Sequence, residues 1–128
     1  MKSPSRILIV DDEPHILRIL SFKLRREGYI TFEARSPDEA EEIVARHRVD
    51  LALLDVSLSS STDGFELAAA LRNNPATAGI VLVMLTARGR SVDILRGREV
   101  GADAYITKPF ALSEVIDRLS TLLDSSGS

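Results

Sequence analysis

Three short apolar runs without a polar break, Ile7–Val10, Leu51–Leu54 and Ile80–Leu85, stand far apart in the chain. Each stops at a polar residue: Asp11, Asp55 and Thr86. Runs this short and this uniformly aliphatic predict strands covered on both faces, which is the habit of a parallel sheet. Parallel neighbours need long crossovers, so the segments between the runs have to be helical.

The intervening sequence supplies them. Pro14 suits a first helical turn. Ile16, Ile19, Leu20 and Leu24 then follow a helical period, and Gly28 stands where a C-terminal cap belongs. Tyr29 to Ala34 alternates like a strand. Ser36-Pro37-Asp38-Glu39 has the spacing of a capping box and opens a second helix with Ala40, Ile43 and Val44 on its buried face. Asp63-Gly64 leads into a third helix carrying Phe65, Ala68 and Leu71, broken at Asn73-Asn74-Pro75. A weaker fourth helix spans about Ser91 to Val100, with Gly97 inside it. Ala104 to Thr107 is a short strand, and Leu112, Val115, Ile116, Leu119, Leu122 and Leu123 line a fifth helix. Five strands therefore alternate with five helices, an α/β doubly wound parallel sheet. The 128 residues suit one domain: 1–5 as an extension, 6–123 as the fold, 124–128 as a polar tail or the start of a linker.

In such sheets a ligand sits beyond the carboxyl ends of the strands. The residues there are Asp11 and Asp12 after the first strand, Asp55 after the third, Thr86 and Ala87 after the fourth and Lys108 after the fifth. Three carboxylates at one rim repel one another, and a hard divalent cation with oxygen ligands, Mg²⁺ beside phosphate, relieves that. Lys108 offers a point charge to phosphate oxygens, Thr86 a hydroxyl and Ala87 a backbone N–H. An aspartate so placed is a competent nucleophile toward phosphorus.

Composition removes other classes. The net charge is −3 with no polybasic block, which argues against direct nucleic-acid or membrane-surface binding. No cysteine is present, excluding a disulfide framework, a thiolate metal site or a cysteine nucleophile. The first apolar run is too short for a signal-peptide core. A Mg²⁺-dependent phosphohydrolase would show Asp-x-Asp after the first strand and a cap domain. A nucleotide or flavin carrier would want a phosphate loop where Asp11-Asp12-Glu13 stands.

Taken together, ILIVDDE, LALLD at Asp55, Asp63-Gly64, VMLTA and GADAYITKPF resemble the receiver domain of bacterial response regulators, over about residues 6 to 123. The resemblance implies a flavodoxin-like sheet of strand order 2-1-3-4-5 and a phosphorylation-driven switch rather than an enzyme. Asp55 would be the phosphoacceptor. Asp12, Asp55 and the backbone carbonyl of Ser57 would hold Mg²⁺, with Asp11 acting through the metal or its water. Lys108 and the backbone N–H of Ala87 would meet the phosphoryl group. Thr86 would move to bond it, and Tyr105 would swing inward behind Thr86. Lys108–Pro109 would be a cis peptide. The implied partner is a sensor histidine kinase or phosphotransfer protein in the cytoplasm. Output would leave through the face of the fourth helix, fifth strand and fifth helix, toward an effector or a second copy. No effector pattern follows Leu123, so the chain reads as a single-domain regulator or as a receiver taken from a longer regulator with a DNA-binding or enzymatic domain. The sequence departs from the family at Ser59, where receivers commonly have proline, in a Ser-rich stretch up to Thr62. His15 reads most simply as an exposed first-turn residue, and His47 as helix-end charge.

Overall fold

The computed structural model describes residues 4–56, 63–87, 95 and 98–126. Five parallel strands, β1 (Arg6–Val10), β2 (Ile30–Ala34), β3 (Leu51–Asp55), β4 (Val81–Ala87) and β5 (Ala104–Lys108), form one sheet in the order β2-β1-β3-β4-β5. Side chains alternate across a strand, so each apolar run feeds two cores. Ile7, Ile9, Leu51, Leu53, Val83 and Leu85 face helix α1 (Pro14–Arg26) and the C-terminal helix (Leu112–Ser126). Leu8, Val10, Ala52, Leu54, Leu82 and Met84 face α2 (Pro37–Arg46) and α3 (Gly64–Asn73). This is the doubly wound arrangement expected from the sequence.

Local signals explain the helix ends. Tyr29 N donates to Leu24 O and Gly28 N to Arg25 O, with Gly28 at φ 98°; this pair of bonds is a Schellman motif, and the positive φ favours glycine. Ser36 Oγ accepts from Glu39 N at 3.2 Å. The return bond of the expected capping box is displaced by one residue: Glu39 Oε1 accepts from Arg35 N rather than from Ser36.

Two expectations need correction. The buried face of α1 is Leu17, Leu20, Ser21 and Leu24, whereas Ile19 is 47% exposed. The C-terminal helix runs to Ser126, beyond Leu123 where the sequence pattern ended it. The fourth helix falls largely outside the described residues, of which Leu95 and 98–100 are helical. Arg72 was not singled out by sequence, yet it ties α3 to the loops around β4 and β5. Its Nη1 donates to Ala78 O (2.6 Å) and Ile80 O (2.9 Å), and its Nη2 to Gly101 O (2.8 Å) and Asp103 Oδ2 (3.0 Å).

Candidate phosphoryl-transfer site

The parallel register brings four strand ends to one rim. Val10 pairs with Leu54, Asp55 with Leu85 and Ala87 with Lys108, so Asp11, Asp55, Thr86 and Lys108 converge though distant in sequence. Asp11 is 0% exposed, Asp55 4% and Thr86 1%; Asp12 is half-buried. One carboxylate oxygen from each of Asp11, Asp12 and Asp55 lies within 4.8 Å of the others.

Lys108, at the end of the edge strand β5, offsets part of this negative charge. Lys108 Nζ donates to Asp11 Oδ2 at 2.9 Å and to Asp55 Oδ2 at 3.2 Å. Burial lowers the Lys108 pKa, but the Asp11 hydrogen bond and the charges of Asp55 and Asp11 outweigh it, and the ammonium is held above its ordinary pKa. The other Asp11 oxygen accepts from Glu13 N at 3.0 Å, and Asp11 N donates to Ala34 O at 3.1 Å. Asp11 is therefore fixed by main chain on one side and by Lys108 on the other. Lys108–Pro109 is cis. Beside the acids opens a cleft of about 580 Å³ whose wall is mostly apolar, formed by Ile16, Ile19, Leu20, Phe110 and Leu112.

The acid cluster fits a small hard cation, since all three of its donors are carboxylate oxygens, held at the adjacent ends of β1 and β3. Ser57 and the Ser59–Thr62 stretch lie outside the described residues. Thr86 and Tyr105 stand on neighbouring strands, with Tyr105 opposite Met84. The Tyr105 ring packs on the α2–α3 core, and its hydroxyl is buried with no hydrogen-bond partner among the described residues. His15 is exposed, with Nε2 3.4 Å from Glu13 Oε2, and is not part of the cluster.

The profile of the response regulator receiver domain family matches residues 7–120. The chain belongs to that family. It is 41% identical over 121 residues to the phosphate regulon transcriptional regulatory protein PhoB of Pseudomonas aeruginosa, covering 94% of this chain and 52% of that protein. It is 41% identical over 119 residues to the transcriptional regulatory protein ResD of Bacillus subtilis, covering 93% of this chain and 48% of that protein. The receiver thus spans about half the length of these curated relatives. Among solved structures it is similar to a CheY-like receiver domain protein from Methanospirillum hungatei, at TM-score 0.90 and 30% identity with 98% of each chain covered. A putative response regulator from Chloroflexus aurantiacus gives TM-score 0.88 and 34% identity, covering 94% of this chain and 98% of that one. No helix among the described residues is long and apolar enough to cross a membrane.

Proposed function

We propose that this receiver is a phosphorylation-activated switch in which Asp55 takes a phosphoryl group from a phosphohistidine on a sensor kinase or phosphotransfer protein. The observation that carries the reading is the placement of Asp55: at the end of β3, nearly buried, within 4.8 Å of two other carboxylates and bonded to Lys108. In the step, an Asp55 carboxylate oxygen forms a bond to phosphorus while the phosphorus–nitrogen bond of phosphohistidine breaks. The imidazole nitrogen keeps the electron pair and takes a proton from solvent. Asp12, Asp55 and the Ser57 carbonyl would hold Mg²⁺, with Asp11 acting on its water. Bound there, the ion supplies neutralisation of charge on the phosphoryl oxygens.

This chain's own groups do the rest. Lys108, held protonated well past neutral pH, follows the charge from Asp55 Oδ2 to the transferred group. Thr86 and the Ala87 N–H meet the new oxygens from the end of β4. Displacement of Thr86 toward the phosphoryl group alters the space beside Tyr105, and the fourth helix, β5 and the C-terminal helix form the output face. The receiver covers about half of relatives named as transcriptional regulatory proteins, which favours a receiver joined to a transcriptional effector in the whole protein. The test is incubation with phosphoramidate and Mg²⁺ followed by intact-mass measurement. One phosphoryl group is expected on the parent and none on Asp55→Asn; uptake that persists in Asp55→Asn overturns the assignment.

A further inference from the structure

We infer that Gly64 is a positioning residue for Asp55, because α3 begins so close to the Asp55 main chain that no side chain fits between them. The inference rests on Asp55 as the phosphoacceptor. A Cβ at Gly64 would overlap the Asp55 carbonyl oxygen and lie 2.9 Å from the Asp55 carbonyl carbon and 3.0 Å from Val56 Cα. All three are backbone atoms, so nothing can rotate out of the way. Gly64 does not adopt a positive φ, unlike Gly28 and Gly101. Its conformation is open to any residue, and proximity alone demands glycine there.

Both sides of the contact are anchored. Gly64 N donates to Val56 O at 3.3 Å, and Asp63 caps α3 by accepting from Glu66 N at 2.9 Å. Phe65, Leu67, Ala68 and Leu71 are buried, so α3 cannot retreat without opening the core. Across β3, Val56 N donates to Leu85 O at 3.1 Å, holding the strand end against β4. Asp55 is thereby pressed between α3 and β4, while its carboxylate stays in reach of Lys108 and the two other acids. A methyl group at residue 64 has to separate the two backbones, and the acceptor carboxylate moves with its main chain.

The test compares Gly64→Ala with a control, Gly79→Ala, whose added Cβ would have nothing within 4 Å. Phosphorylation rates with phosphoramidate and Mg²⁺ dissociation constants from amide NMR shifts are measured at a temperature where circular dichroism shows each variant folded. A misplacement of about 1 Å at a reacting group costs on the order of 100-fold, so Gly64→Ala should lose about 10- to 100-fold in rate and bind Mg²⁺ more weakly. Gly79→Ala should match the parent. A lowered melting temperature with parent-like rate and Mg²⁺ affinity would make Gly64 a packing residue only and overturn the inference. If Gly64→Ala does not fold, Asp63→Ala decides. It loosens the first turn of α3 without adding an atom at Asp55, so a slower rate supports positioning and a parent-like rate overturns it. A parent protein that takes up no phosphoryl group sinks the acceptor reading itself, and this inference with it.

Discussion

Lys108 Nζ lies 2.9 Å from Asp11 Oδ2 and 3.2 Å from Asp55 Oδ2, bridging two carboxylates that are themselves almost fully buried. The Lys108 side chain is 24% exposed, so the bridge is partly open to water on the lysine side only. Two nearly dry carboxylates that share the Lys108 ammonium form a site that can exchange partners. A phosphoryl group added at Asp55 offers Lys108 a stronger anion in the same place.

Replacing Lys108 by methionine should remove the ammonium that Asp11 and Asp55 share and cost about 1–3 kcal/mol at neutral pH. The pH dependence follows from the raised Lys108 pKa. A folded-state pKa above the unfolded value gives stability that is complete below the unfolded lysine pKa of about 10.4 and is lost as pH rises through the folded-state value. Urea unfolding of parent and Lys108→Met near pH 7 and pH 11 should therefore show a gap that narrows at the higher pH. A gap constant with pH would mean the ammonium is not stabilised by its two partners.

The acid cluster makes folding responsive to metal. Mg²⁺ that binds only the folded state stabilises it by about 1.4 kcal/mol at ten times its dissociation constant. Asp12→Ala should remove most of that response. Thermal melts with and without Mg²⁺ read both effects, and a parent melting temperature indifferent to Mg²⁺ would count against the site.

The frame of α1 has an energetic consequence. Leu17 is 2% exposed and Ile19 47%. Leu17→Ala should cost about 2–5 kcal/mol and Ile19→Ala about 1 kcal/mol or less. Denaturant midpoints of the two variants decide it, and the reverse order would put Ile19 rather than Leu17 in the core.

That frame was also where the sequence was least legible. Strands β1, β3 and β4 announced themselves because residues buried on both faces leave no polar break, and the candidate site followed because each run stops at a polar side chain on the same rim. Helix α1 carries Ile16, Leu17, Ile19, Leu20, Phe22 and Leu24, apolar residues on more than one side, so two helical frames fit its period equally. Only packing against Ile7, Ile9 and Leu53 selects Leu17. The Gly64 contact is invisible in sequence for a different reason: it depends on the distance between two main chains, which no spacing of residue types encodes. Asp50 and Asp103 escaped for the same cause. They accept from the backbone N–H of Arg6 and Leu82 at the starts of β1 and β4, bonds made only once the sheet assembles.

Tyr105 carries a cost that a single substitution should reveal. Its ring packs with Val100 and Ala102 on the core beneath α2 and α3, and its main-chain oxygen accepts from Arg118 Nη2 at 3.5 Å. The hydroxyl is buried with no partner among the described residues. A buried polar group left unsatisfied costs about 1–3 kcal/mol, which the apolar contacts of the ring have to offset. Tyr105→Phe keeps the ring and deletes the orphan, so the unphosphorylated protein should become more stable by about 1 kcal/mol. For a domain of this size that corresponds to a rise in melting temperature of roughly 3–5 °C. The same substitution removes any bond the hydroxyl would gain when the site is phosphorylated, so the stabilising effect should shrink once beryllofluoride occupies Asp55 as a phosphate mimic. Calorimetry on both proteins with and without the mimic tests the pair of expectations. A Tyr105→Phe protein no more stable than the parent in the free state would mean the hydroxyl is already satisfied. An equal gain in both states would mean the hydroxyl stays unpartnered after activation.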